Sequence, residues 1–256
     1  MEHLYRNYSS IWQAKNNSMD TLFNYIKEYP LIEMDDCHNI TIRNTNQEKV
    51  PGFCCHLDTV HKASPSPVYA NGVLFDGAGN GIGGDDKCGI VACLELLQQI
   101  PCKCVFFTEE EKGGVGAKGY DQEKLKDCKF LIEIDRRGNN DLIFQSGGVA
   151  LCSKEFREAI GGHFDGYKEA SGTFTDVNVL GEVGINMMNI SSGYYLAHTT
   201  SEPVILNHLQ RTISLLKSFA EKDLEFKPYK RRKKNNIIDG VGYGNGYLWD
   251  SYGKYN

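Results

Sequence analysis

The sequence predicts an α/β protein, a three-layer αβα sandwich with a mixed, mainly parallel central sheet. Three observations carry that prediction. Apolar runs of strand length, "VPGFCCHLDT" (50–59), "KCVFFT" (103–108) and "KFLIEID" (129–135), alternate with segments of helical period. That order is expected when strands are joined by crossover helices. The runs are apolar at nearly every position instead of every second one, which marks strands covered on both faces. Polar residues then gather where the runs end: His56 and Asp58, Glu109 to Glu111, and Asp135. In open α/β sheets the C-terminal ends of the strands are where ligands bind.

The elements follow in order. "NSMDTLFNYIKEYP" (17–30) is an early amphipathic helix with Ser18 as its cap and Pro30 past its end. "NITIRN" (39–44) and "NGVLFD" (71–76) are strands, and the Pro/Ser stretch "HKASPSPV" (61–68) is a loop. "DDKCGIVACLELLQQI" (85–100) puts Ile90, Leu94 and Leu97 on one helical stripe, and Pro101 stops it. "GVGAKGYD" (114–121) is a glycine-rich turn entering a helix, and "EVGINMMNI" (182–190) a further strand. A last long helix runs from about Glu202 to Ala220 with Ile205, Leu209, Ile213 and Leu216 on one side. No internal repeat is present.

Composition bounds the class. At 41% hydrophobic and 24% charged residues, the chain is an ordinary globular protein with room for a sizeable core. It has no apolar run of membrane-spanning length and no signal-peptide pattern at "MEHLYRNYSS", so the expected location is the cytoplasm. Nine cysteines, odd in number, embedded in apolar stretches and without a C-x-x-C pair, read as reduced buried thiols, not disulfides or a zinc ribbon. The net charge of −5 is uneven. From Glu225 onward seven Lys/Arg face three Asp/Glu, so the preceding chain stands at −9. We therefore divide the chain into a single domain, 1–225, and a C-terminal tail, 226–256. The tail carries six Lys/Arg within Lys227 to Lys234 and is then rich in Gly and Tyr. Basic charge followed by stacking rings suits RNA, DNA or an acidic partner; a merely solvated tail is the plainer reading.

Three consecutive glutamates at a strand end repel one another. Taken alone they form a polar loop capping the next helix, and His56 or His198 alone is a structural or surface histidine. Taken together, His56, Asp58, Asp85, Asp86, Glu110, Glu111, Asp135 and His198 are imidazoles and carboxylates of the kind that hold zinc, manganese or cobalt. Two such ions would neutralise carboxylates that otherwise repel.

Five segments in order, "HLDTV", "GGDDKCGI", "EEKGGVGA", "EID" and "YYLAHT", resemble the co-catalytic dizinc exopeptidases: peptidase T, the carboxypeptidase G-like enzymes and the compact bacterial zinc aminopeptidases. The likeness spans roughly Pro51 to Ala220. It implies two divalent ions, zinc above manganese or cobalt. His56, Asp85, Glu111, Asp135 and His198 would be their ligands, and Asp85 the bridge between them. Asp58 would hold the far nitrogen of His56, and Asp86 would follow Asp85 across a peptide bond that is often cis in these enzymes. Glu110 would be the general base and Glu109 the spare acid. The implied activity is hydrolysis of small peptides at a chain end, foremost by an aminopeptidase.

The chain also departs from those relatives. Only 62 residues separate Asp135 from His198, too few for the lid or dimerisation domain that the peptidase T and carboxypeptidase branches insert there. An aminopeptidase needs an acid for the substrate ammonium, for which Glu109 and Asp86 are candidates. Arg136 and Arg137 could instead hold a substrate carboxylate, pointing to a carboxypeptidase or N-acyl-amino-acid hydrolase. Ser171 to Asp176 is a candidate lining of the substrate pocket, and His61 and His163 could approach it. Further from the lead stand a single-zinc acyltransferase and a binding protein that has lost catalysis.

Overall fold

The computed structural model describes residues 1–15, 19–172, 174–181 and 183–231. Ser18, the proposed helix cap, and the Gly/Tyr-rich part of the tail lie outside the described residues. Three short helices open the chain: α1 (Glu2–Asn7), α2 (Ser9–Gln13) and α3 (Met19–Ile26). Strands β1 (Leu31–Met34), β2 (Ile40–Arg43), β3 (Val50–His56), β4 (Pro67–Ala70) and β5 (Val73–Asp76) precede the longest helix, α4 (Gly84–Gln99). Then come β6 (Lys103–Phe107), α5 (Val115–Gly119), β7 (Cys128–Arg136), β8 (Asp141–Ile143), β9 (Gln145–Ser146), β10 (Val149–Ala150) and α6 (Lys154–Gly161). The last elements are β11 (Lys168–Glu169), β12 (Met187–Ser191), β13 (Val204–Ile205) and α7 (Leu206–Ala220).

Eight strands form the central sheet in the order β1-β2-β6-β3-β7-β12-β8-β11. The middle four, β6, β3, β7 and β12, run parallel, while β1 and β2 pair antiparallel on one side and β8 runs antiparallel to β12 on the other. The sheet is therefore mixed and parallel where it is most buried, as the uninterrupted apolar runs require. All seven residues of β3 and all five of β6 are buried.

Alternation along these strands divides the core into two layers. Phe53 and Cys55 of β3, Cys104 and Phe106 of β6, and Ile132 and Ile134 of β7 face the larger cluster, which includes Ile90, Leu94 and Leu97 of α4 and Leu209, Ile213 and Leu216 of α7. Cys54, Val105, Phe107 and Leu131 face the opposite, thinner layer, with Ala117 of α5, Leu125 and Val177. That thin layer is built from the five-residue helix α5 and three single 3₁₀ turns, at Glu110–Lys112, Gln122–Leu125 and Asp176–Asn178. It relies on close backbone contact. A Cβ on Gly116 would lie 2.4 Å from the Thr108 carbonyl oxygen, so only glycine lets α5 sit against the end of β6.

The first residues of the basic segment lie on the body. Phe226 packs on the rings of Phe130, Phe156 and Phe219. The Asn186 amide donates to the Lys227 carbonyl at 3.1 Å, and the Tyr229 N–H to Gly184 at 2.9 Å. Arg231 reaches beneath the thin layer, where its guanidinium donates to the carbonyls of Asn178 and Val177. Among the described residues no helix is long and apolar enough to cross a membrane.

Candidate metal centre and active site

The three parallel strands β6, β3 and β7 end side by side, so the residues that follow them meet. His56 closes β3, Glu109 to Glu111 follow β6, and Asp135 lies near the end of β7. Asp85 arrives at the start of α4, across a cis peptide bond to Asp86, and His198 from the loop after β12. All eight residues grouped from the sequence thus fall at one end of the sheet. Asp85, Glu110, Glu111, Asp135 and His198 line a cavity of about 560 Å³. His56, fully buried, lies behind Asp85, and Asp58 supports the glutamate turn from below.

Two triads share Asp85. His56 Nε2 lies 3.1 Å from Asp85 Oδ1 and 3.7 Å from Asp135 Oδ1. His198 Nε2 lies 3.3 Å from Asp85 Oδ2 and 3.0 Å from Glu111 Oε1. Two ligand atoms each about 2.1 Å from a tetrahedrally bound ion are roughly 3.4 Å apart, so these spacings are those of a cage for a cation. Within each triad the offered atoms all lie within 4.8 Å of one another. Glu111 Oε1, although close to His198, lacks the alignment of a hydrogen bond and is left without a partner. A buried carboxylate oxygen left so is costly, and a cation fits it.

The charges confirm the crowding. Burial alone would pull His56 down, but Asp135, Asp58 and Asp85 outweigh it and hold the imidazole well above its usual range. The neighbouring carboxylates of Asp85 and Glu111 raise His198 to about 11. Asp85, despite burial, is held low by the two imidazoles. Burial, with the charge on Asp85, lifts Asp135 to about 6. Glu110 rises to about 9, chiefly through burial, with Asp135, Glu133 and Glu111 adding to it against the pull of His56.

Around the triads runs a supporting shell. Asp58 Oδ1 stands 3.4 Å from His56 Nδ1, and its two oxygens accept the N–H groups of Glu110 at 3.0 Å and Glu111 at 3.3 Å. One carboxylate therefore orients the first imidazole and the glutamate turn together. Asp86 does not face the cleft. It accepts the His56 N–H at 3.2 Å and the Gly89 N–H at 2.9 Å, tying β3 to the first turn of α4. Glu109 pairs with Lys112 at 2.6 Å on the surface. Neither acid is placed to receive a substrate ammonium, as the sequence had suggested they could be. Lys87, the lysine of the D-x-K pattern, is buried and donates to the carbonyls of Ile82 and Trp12 at 2.8 and 3.1 Å. Its role here is to pin the N-terminal helices to the loop before α4.

Other expectations divide. Gly172, Phe174 and Thr175 line the cavity, while Asp176 is fully buried beneath them. His163 bonds Ser218 of α7 and stays away from the cleft. His61 is used indirectly: its Nε2 meets Glu202 Oε2 at 3.0 Å. Glu202, which sequence reasoning passed over, also accepts the N–H groups of Gly83 at 2.9 Å and Asp85 at 3.1 Å. It thereby fixes the backbone that carries the shared carboxylate. Tyr194 and Asn189 were missed as well. The Tyr194 hydroxyl donates to Asp135 Oδ1 at 3.0 Å, and the Asn189 amide brackets the Asp135 backbone at 3.0 and 2.7 Å. The signal available was their place in motifs already noticed, "YYLAHT" and "MMNI", but no spacing rule links them to Asp135.

A family model, peptidase family M28, matches residues 39–201, the stretch holding every residue of both triads. The chain belongs to peptidase family M28. Members of this family are metal-dependent peptidases, and this chain is accordingly a metallopeptidase. Among solved structures the M28 chain is similar to aminopeptidase PepT from Bacillus cereus, with a TM-score of 0.73 and 15% identity over 86% of this chain and 98% of that one. It is also similar to a tripeptidase from Staphylococcus aureus, with a TM-score of 0.70 and 15% identity over 86% and 98%. An aminopeptidase from the archaeon Desulfurococcus kamchatkensis gives a TM-score of 0.70 and 13% identity over 86% and 95%. At such identities the likeness is one of fold. No curated protein sequence matches the M28 chain.

Proposed function

We propose that this protein is a dizinc aminopeptidase acting on small peptides, with Glu110 as its general base. The observation that carries this reading is Asp85, which turns one oxygen to each triad while Glu110 lines the same cavity. Two divalent ions held by His56, Asp85 and Asp135 on one side and by Asp85, Glu111 and His198 on the other would polarise a scissile carbonyl and acidify a water. The protein's own part is proton traffic and position. Glu110 would be drawn down by two cations in the cavity from the value of about 9 that it holds without them. As a carboxylate it takes the proton from the attacking water and returns it to the departing amine. Asp58 holds Glu110 through its backbone N–H, so removing a proton from water does not displace the base. A cytoplasmic site of action is supported by nine cysteines that all remain free thiols.

The test is a panel of peptides with free or blocked N-termini and of N-acyl amino acids, offered to zinc- or manganese-loaded protein. We expect release of the N-terminal residue from free peptides only. Glu110→Gln should keep its metal content and lose about a thousandfold in kcat, the scale of general acid–base catalysis. Cleavage of N-blocked substrates in preference would move the reading to a carboxypeptidase or amidohydrolase on the same ions.

A further inference from the structure

We infer that Arg137 is the anchor for a carboxylate of the substrate, and that the substrates are accordingly short peptides whose free carboxylate sits a residue or two from the scissile bond. The inference rests on the reading of this site as a peptidase and adds what the cleft selects. It begins with the fate of the two arginines. Arg136 is engaged: its Nε and Nη2 both donate to Asp141 Oδ2 at 3.2 Å. The Arg137 guanidinium lines the cavity, is exposed, and among the described residues has no carboxylate or carbonyl partner. Its backbone, by contrast, is fixed, because the Ser191 hydroxyl donates to the Arg137 carbonyl at 2.9 Å. A free cation on a fixed backbone two residues beyond Asp135, just past the end of β7 and lining the same cavity as Asp135, is a placed group.

Charge decides what it can attract. The acids lining the cavity are Asp85, Glu110, Glu111 and Asp135. Four carboxylates facing two divalent ions leave no net negative charge for a substrate ammonium. The two other acids near enough to consider are used elsewhere, Asp86 by backbone N–H groups and Glu109 by Lys112. Arg137 is then the one uncompensated side-chain charge among the described lining residues. Its flat fork of N–H donors matches a carboxylate in two parallel hydrogen bonds. Two residues of backbone, at most about 3.6 Å each, and the reach of an arginine bound the distance from Asp135, which limits the intervening peptide to about two residues. Ile143, Phe174 and Ala197, which also line the cavity, favour apolar side chains in between.

Binding and turnover are measured separately. Zinc-loaded Glu110→Gln protein is titrated calorimetrically with leucyl-alanyl-alanine, its C-terminal amide, and leucyl-glutamyl-alaninamide. The first should bind at least tenfold more tightly than the second. Arg137→Ala should erase that gap, and Arg137→Lys should keep part of it. Tight binding of the third peptide as well, also lost in Arg137→Ala, assigns the carboxylate to a side chain as well as to the chain end. Equal affinity for all three, a gap that survives Arg137→Ala, or no binding of any peptide overturns the inference. Hydrolysis of the same peptides by the Glu110-containing enzyme tests the peptidase reading on its own. An enzyme that cleaves acid and amide with the same KM keeps that reading and loses the anchor.

Discussion

The two triads share one aspartate and differ in almost everything else. The His56 side chain is fully buried at the end of a central parallel strand, and its partner Asp135 closes the neighbouring strand. The His198 side chain is 45% exposed on a loop, in a left-handed conformation with φ of 65°, and its partner Glu111 sits in a single 3₁₀ turn. The first half is held by the sheet, by Asp58, by Asp86 and by Asn189 and Tyr194. The second half is held by short local elements, with Asp58 reaching across to the Glu111 N–H. The difference teaches where the molecule is built to be stiff and where it can open to solvent. Ligands fixed before the ion arrives lose little entropy on binding it, whereas ligands on a loop lose more. We therefore expect the ion beside His56 to be the tighter and the ion beside His198 to be the one exchanged first.

Breaking the shared residue has the largest effect expected. Asp85→Asn should abolish turnover and leave less than one ion per chain by elemental analysis, because both triads lose a charged ligand. His198→Ala should retain about one ion per chain, and His56→Ala should retain fewer. If the two histidine variants hold equal metal, the contrast between the triads is wrong. In the unaltered enzyme a chelator titration should remove the ions in two steps, at least tenfold apart in affinity.

Next comes Glu202, which steadies the shared carboxylate through the backbone of Asp85. Glu202→Ala strands the buried His61 and the N–H groups of Gly83 and Asp85. Breaking a buried pair of this kind costs about 3–5 kcal/mol, readable as a lower urea midpoint, and metal affinity should fall about 10- to 100-fold, the usual cost of losing a group that orients ligands. Glu202→Gln keeps an acceptor and should recover part of both. Unchanged metal affinity in the alanine variant would reduce Glu202 to a packing role.

The smallest effect is a proton count. Without metal, His198 is held at about 11 and His56 well above its usual range, so both carry a proton at pH 7. An ion needs the neutral ring. Full loading at pH 7 should then release at least these two protons, and a third from Glu110, which stands at about 9 without metal. The release is measurable by calorimetry in buffers of different ionisation enthalpy, and affinity should rise with pH. A buffer-independent heat would show that the rings are already neutral.

Much of the first triad was legible in the sequence. His56, Asp85 and Asp135 stand at the borders of strongly patterned elements, and a strand of uniform apolar character announces both its burial and its end. Glu110 and Glu111 could be told apart only by resemblance, since three adjacent acids offer no spacing of their own. The ammonium-binding acids could not be read at all. Glu109 and Asp86 look as available as Glu110 on paper, and only the folded chain spends one on Lys112 and the other on two backbone N–H groups. Arg136 and Arg137 are likewise indistinguishable until Asp141 takes the first. Glu202 went unseen because its partners lie 117 and 119 positions away, beyond the reach of any local pattern.

By itself, then, the sequence determined the layered α/β class, the buried parallel strands and the set of residues able to bind metal, because periodicity and residue chemistry are local properties of the chain. Only the tertiary structure decided which acids remain free to act, how Asp85 divides its two oxygens, and which arginine is paired with an acid. Those outcomes depend on hydrogen-bond partners brought from distant segments, and a partner's presence within about 3 Å is a fact of packing that no single stretch of sequence contains.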